Sequence, residues 1–163
     1  VDAKRVYLTG LSLGGGGTWN YAHKYPNRLA AIVPICGYSR QATDARGAAI
    51  VNAGVKVWTS HAVDDDVVDV GLTVAWMNSI SRAYGYGASG NSATLGGVTK
   101  TFYMDLGTGT WKSVAGQTYA NALGAPIDPA HFVTYYPSGK HVVWDRMYSD
   151  PNVYEWILRQ SRP

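Results

Sequence analysis

The sequence predicts an α/β fold, with strands alternating with flanking helices, and three observations carry that expectation. Val6-Tyr7-Leu8-Thr9 is an apolar, β-prone run that feeds into Gly10-Leu11-Ser12-Leu13-Gly14 and then into a helix-like segment. Further apolar runs rich in β-branched residues recur at 29–35, 55–60 and 132–136. Segments of helical spacing lie between and after them.

The first helix is expected over 15–24, with Trp19 and Ala22 toward the sheet and Pro26 beyond its end. A second, over 70–84, sets Val74, Met77 and Ile80 at helical spacing and stops at Gly85. The last helix opens with Asp150 as cap and Pro151 in the first turn, and Tyr154, Ile157 and Leu158 form its expected sheet-facing stripe. Residues 85–130 are rich in Gly, Ser and Thr. Within them, residues 99–104 and 110–114 are expected to pair as a hairpin around Leu106-Gly107-Thr108-Gly109. That excursion precedes the last strand, which fits either a lid at an active-site rim or a plain surface feature.

The chain has 163 residues, 46% hydrophobic and 15% charged, enough apolar content for one globular core and too much for disorder. Its net charge of +3 is dispersed, with no Lys/Arg cluster to engage nucleic acid. No run is apolar enough to span a membrane. The single cysteine, Cys36, ends an apolar strand beside Gly37 and reads as a small buried hydrophobe, without an internal disulfide partner.

Gly-x-Ser-x-Gly between a strand and a helix is the pattern of a nucleophile elbow. Gly10 and Gly14 are expected to remove side chains that would collide in the tight turn, leaving the Ser12 hydroxyl on a strained corner. The elbow predicts an acid after a later strand and then a histidine. His61-Ala62-Val63-Asp64-Asp65-Asp66 follows the 55–60 strand, at the edge where open α/β sheets place their sites. His141 follows the 132–136 strand and Pro137-Ser138-Gly139-Lys140. The acid is to be chosen among Asp64, Asp65, Asp66 and Asp69. A metal site is not expected from three adjacent carboxylates, which cannot converge on one calcium without a special loop. Of the other histidines, His23 reads as a surface residue, His61 as a hydrogen-bonding residue of the acid loop, and His131 as the start of a strand.

The residues resemble the C-terminal half of an α/β-hydrolase of the phospholipase/carboxylesterase-like group, with polyhydroxybutyrate-depolymerase-like, feruloyl-esterase-like and "predicted peptidase" members. The matching stretches are Val1-Asp2, Arg5 to Gly15, Thr18-Trp19, Tyr25-Pro26, Ala30 to Gly37, His61 to Val68, His141 with Trp144-Asp145, and Tyr148 to Leu158. They cover most of the chain outside 85–130. The resemblance implies a parallel sheet with flanking helices and one domain portion over 1–163. Its His-Gly-x-x-Asp-x-x-Val pattern, laid on His61, puts the acid at Asp65. Ala62 stands for the usual Gly and Asp66 for a frequent Pro, so Asp64 and Asp66 stay open.

The resemblance implies a Ser12–Asp65–His141 triad without cofactor or metal, and the Leu13 backbone N–H as an oxyanion donor. Trp144 and Trp111 are the candidate substrate contacts. The expected reaction is hydrolysis of a carboxylic ester through an acyl-enzyme, on a small-molecule or polysaccharide ester. A serine peptidase of prolyl-oligopeptidase-like type and an inactive binding or accessory module are the alternatives. Only eleven residues precede Ser12. By the resemblance, the first half of the sheet and the second oxyanion donor then lie upstream, in the same parent chain or a second polypeptide. The first strand would keep an open edge, which invites such pairing or self-association. The family's frequent secretion in bacteria points to a secreted or periplasmic location.

Overall fold

A computed structural model describes residues 2–87, 95–114 and 129–163. Its elements alternate as the sequence predicts. Strand β1 (Tyr7–Leu11) leads into helix α1 (Leu13–Lys24), followed by β2 (Ala31–Ile35), α2 (Asp44–Asn52), β3 (Lys56–Ala62) and α3 (Gly71–Ala83). Then come β4 (Lys100–Asp105), β5 (Thr110–Val114), β6 (His131–Tyr136), α4 (Trp144–Tyr148) and α5 (Pro151–Leu158). One six-stranded sheet runs in the order β1-β2-β3-β6-β4-β5. Strands β1, β2, β3 and β6 are parallel, while β4 runs antiparallel to both β6 and β5. The fold class is a mixed α/β fold with a mostly parallel sheet and flanking helices.

The sheet separates two apolar layers, because successive side chains of a strand face opposite ways. Ile32, Val57, Val133 and Tyr135 pack with Trp19, Trp76, Met77 and Ile80 on one face. Ala31, Val33, Trp58 and Phe132 pack with Val143, Met147, Val153 and Trp156 on the other. Burial on both faces explains why β2, β3 and β6 read as nearly continuous apolar runs.

Several details depart from the sequence expectation. Helix α2 lacks a long apolar stripe, burying only Gly47 and Ile50, and is anchored by Thr43, whose side chain accepts the Arg46 N–H. In α5 the buried positions are Val153 and Trp156, whereas Tyr154 and Leu158 are about half exposed. Both sets fit helical spacing, and the indole, with more area to remove from water, faces the sheet. Strand β3 continues through Ala62, bringing its end closer to the acid loop. The expected hairpin forms, and it extends the sheet beside β6 rather than standing apart from it. The remaining parts of the 85–130 excursion, residues 88–94 and 115–128, lie outside the described residues. Among the described residues, β1 has β2 as its sole strand neighbour. No helix among them is long and apolar enough to cross a membrane.

Candidate active site

Three loops leave the carboxyl ends of parallel strands and meet. Ser12 directly follows β1, Asp65 lies three residues beyond β3, and His141 five beyond β6. Parallel pairing puts all three strand ends on one edge of the sheet, the edge where such folds gather their sites.

Ser12 is held in a sparsely populated conformation, φ 53° and ψ −120°. Such a residue costs on the order of 1–3 kcal/mol and persists only where its surroundings fix it. Here the Ser12 N–H donates to the Ile35 carbonyl, and the Ser12 carbonyl accepts from Gly16 and Tyr38, each at 3.0 Å. Its side chain leaves the α1 N-terminus uncapped and turns to His141.

The expected roles of the elbow glycines need one correction. A Cβ on Gly10 would lie 2.4 Å from the Gly14 carbonyl oxygen, so Gly10 is required. A Cβ on Gly14 would meet nothing. The close approaches are at Gly15, 2.6 Å from the Ile35 oxygen, and Gly16, 2.0 Å from the Tyr38 oxygen. The helix presses its third and fourth residues, Gly15 and Gly16, onto the end of β2 and the loop that leaves it, while Gly14 faces outward.

The Ser12 Oγ lies 2.8 Å from His141 Nε2, and His141 Nδ1 lies 2.9 Å from Asp65 Oδ2. A carboxylate only accepts, so Nδ1 carries the proton and Nε2 is free to accept from the Ser12 hydroxyl. The Asp65 side chain has no exposed surface. Its Oδ1 accepts the backbone N–H groups of Val67 and Val68, both at 2.9 Å. Burial opposes its ionisation, but the hydrogen bond from His141, those from Val68 and Val67, and nearby His61 outweigh this and lower its pKa.

His61 approaches the same carboxylate from the other side. Its Nε2 lies 2.9 Å from the Val68 carbonyl and 3.1 Å from Asp65 Oδ2. Both are acceptors, so Nε2 carries the proton and Nδ1 accepts from the Thr73 hydroxyl at 2.8 Å. Burial is the main cause of a lowered His61 pKa, which favours this neutral ring. The loop-ordering expectation for His61 thus acquires a partner, Thr73, that sequence spacing did not reveal.

Asp64 and Asp66 stand outside this chain of contacts. Asp64 Oδ1 accepts the Lys140 N–H at 2.9 Å, and both carboxylates lie about 4 Å from the Lys140 ammonium. Asp69 Oδ1 accepts the Gly71 N–H at the start of α3. Leu13 is the first residue of α1, and its backbone N–H falls where a helix has no internal acceptor to offer.

Trp144 meets the His141 ring edge-on, with centroids 5.7 Å apart. Trp111 belongs instead to the core: it occupies the buried position of β5, opposite Met104, in the layer that holds Trp19 and Trp76. Its place on the inward face of an alternating strand takes it out of the candidate substrate contacts. His23 is half-buried rather than superficial, with Nε2 3.3 Å from Gln41 Oε1 and its ring stacked 5.9 Å from Trp76. His131 is fully buried, and its Nε2 shares a 2.8 Å hydrogen bond with the Tyr84 hydroxyl.

Cys36 lies beneath the site, fully buried, with Sγ 3.5 Å from the His141 carbonyl. Its Sγ, an Asp65 oxygen and a His141 nitrogen lie within 4.8 Å of one another, the one such trio among the described residues. Burial pushes the thiol pKa up to about 11, so at neutral pH the group is a protonated thiol.

Comparison with known proteins adds the following. No protein-family model matches the chain. The chain is 33% identical over 69 residues to a bifunctional acetylxylan esterase/xylanase of Neocallimastix patriciarum, covering 42% of this chain and 10% of that protein. It superposes on the crystal structure of a thermostable esterase with a TM-score of 0.64 and 23% identity. That match covers 99% of this chain and 32% of the esterase. The chain therefore spans about a third of the length of the esterase it resembles and a tenth of the acetylxylan esterase/xylanase. At that identity the superposition establishes a shared fold, the mixed α/β arrangement of a mostly parallel sheet with flanking helices.

Proposed function

We propose that this chain carries the nucleophile, acid and base of a serine carboxylic-ester hydrolase, with Ser12, Asp65 and His141 as the triad. One observation carries the reading: the unbroken hydrogen-bond chain from Ser12 Oγ through both His141 nitrogens to Asp65. The esterase superposition and the acetylxylan esterase relative support the same chemistry. The second of these also favours acyl esters of polysaccharide as substrates.

A serine hydroxyl is a weak nucleophile until a base takes its proton. His141 Nε2 would accept that proton as Oγ bonds to the ester carbonyl carbon. The carbonyl π electrons move onto oxygen, which the Leu13 N–H would stabilise. Asp65 keeps the proton on Nδ1 and offsets the charge of the imidazolium. Collapse of the tetrahedral intermediate expels the alkoxide, which takes the proton from Nε2 and leaves an acyl-Ser12. Water, deprotonated by the same nitrogen, then releases the acid and restores the hydroxyl.

The test uses 4-nitrophenyl acetate hydrolysis together with fluorophosphonate labelling. Wild-type protein should turn over the ester and incorporate one phosphonyl group at Ser12. Ser12→Ala and His141→Ala should each lower kcat by about 10⁴-fold or more. A folded wild-type sample that neither labels nor hydrolyses would sink the reading.

A further inference from the structure

A groove of about 400 Å³ opens beside the nucleophile, lined by Leu13, Asn20, Tyr38, Ser39, Arg40 and Gln41 among others. It is tied to the elbow at both sides. Leu13 follows Ser12 directly, and the Tyr38 N–H donates to the Ser12 carbonyl. A molecule in this groove would therefore lie against Leu13, one residue along the chain from Ser12.

The polar groups of the groove are one-sided. The Ser39 hydroxyl donates to Asn20 Oδ1 at 2.8 Å. His23 Nε2 donates to Gln41 Oε1 at 3.3 Å. Each amide thus uses its oxygen internally and presents its two N–H donors. The Arg40 guanidinium lies over the Tyr38 ring, 5.6 Å from its centroid, and makes no ion pair among the described residues. Arg46 adds a second cation nearby, donating from Nη1 to the Gln41 carbonyl at 2.8 Å. No Asp or Glu is among the lining residues, and nearby Asp44 is paired with Arg82. The groove offers donors and positive charge, with no carboxylate to balance them.

We infer that this groove is a subsite for a carboxylate, and that the preferred ester bears one next to the scissile bond. The inference rests on the ester-hydrolase reading of Ser12, Asp65 and His141. A guanidinium flanked by amide donors suits a planar two-oxygen acceptor, which it can engage through paired N–H groups. The Tyr38 ring under Arg40 limits the guanidinium's freedom, so less order is lost when the anion binds. The carboxylate can sit on the acyl part of the ester or on its alcohol part.

Two ester pairs separate these sources. The acyl side is read by 4-nitrophenyl succinate against its neutral methyl ester. The alcohol side is read by 4-acetoxybenzoate against its methyl ester. Each kcat/KM is divided by the hydroxide-catalysed rate of the same compound. In one pair the charged ester should be favoured by about tenfold, the scale of one charge-assisted hydrogen bond. Arg40→Gln should erase that preference. Lys24→Gln, the same charge change outside the groove, should keep it.

Absence of preference in both pairs, or a preference that survives Arg40→Gln, overturns the inference. So does its equal loss in Lys24→Gln, which would indicate only a general field. If no ester of either pair is cleaved, the ester-hydrolase reading itself fails. The groove is then judged by benzoate titration, following the Asn20 and Gln41 side-chain amide signals by NMR. Saturable shifts lost in Arg40→Gln support the subsite, and their absence in the wild type overturns it.

Discussion

Asp64 accepts the backbone N–H of Lys140, the residue before His141, at 2.9 Å. Lys140 has a φ of 53°, in the left-handed region that a side-chain-bearing residue seldom adopts, and Gly139 before it has a φ of 135°. The hydrogen bond thus fastens a strained backbone just before His141. It also joins the Asp64–Asp66 loop after β3 to the His141 loop after β6.

On the proposed ester-hydrolase reading, Asp64 acts as a positioning residue for His141. Asp64→Ala frees the Lys140 N–H and the strained turn, and kcat should fall about 10- to 100-fold, the scale of a small misplacement at a reacting centre. KM should change little, because the substrate is not touched. Asp64→Asn keeps an oxygen for the N–H and should recover most of kcat. Steady-state kinetics on a neutral ester reads both variants. Equal loss in Ala and Asn would refute the positioning role and point to the charge itself.

The elbow glycines supply a stability prediction that separates a pattern from its physical cause. Gly10→Ala drives a methyl into the Gly14 carbonyl, and Gly16→Ala drives one into the Tyr38 carbonyl. Both neighbours are backbone and cannot swing aside, so each variant should lose about 3 kcal/mol or more. Gly14→Ala meets open space inside a helix. It should gain about 0.5–1 kcal/mol, since glycine there forfeits conformational entropy on folding. Urea unfolding of the three variants checks the order. A Gly14→Ala protein as unstable as Gly10→Ala would show that the second motif glycine has a steric role after all.

Those glycines also mark how far the sequence could be read. The strand–turn–helix around Ser12 was legible because it is local: an apolar run, two glycines and a helical segment in contiguous order. Strands β2, β3 and β6 were legible because their apolar runs are buried on both faces. Which glycine touches what was not, because the atoms met by Gly15 and Gly16 belong to Ile35 and Tyr38, beyond the end of α1. The same distance in sequence hid the Asp64–Lys140 bond and the Thr73–His61 bond. Helix α5 shows another limit: two stripes of equal period were available in Pro151–Leu158, and tertiary packing selected the one with Trp156. The burial of Trp111 likewise depended on β5 adding to the sheet, which its own five residues do not encode.

The buried histidines set the acid limit of the fold. His131 is fully buried on β6, and burial, with a smaller contribution from Lys56, lowers its pKa to about 3. Among the described residues its Nδ1 has no hydrogen-bond partner and its Nε2 faces the Tyr84 hydroxyl, so no carboxylate there stabilises a charged ring. The folded state therefore disfavours a proton that the unfolded chain accepts at about 6.5. The contribution is fully present above that value and is lost progressively as pH falls from about 6.5 toward 3. At pH 5 the loss from this residue is about 2 kcal/mol. His61, also lowered mainly by burial, acts with the same sign. Asp65, whose lowered pKa stabilises the ionised form, adds its loss only as pH falls below the ordinary carboxylate range. The check is the difference in unfolding free energy between pH 7.5 and pH 5.0, measured in urea for wild type and His131→Gln. The variant starts lower but should lose about 2 kcal/mol less over that interval, because its amide cannot take the proton. Equal losses in the two proteins would mean that His131 titrates normally in the folded state, and that its site is wetter than its packing indicates.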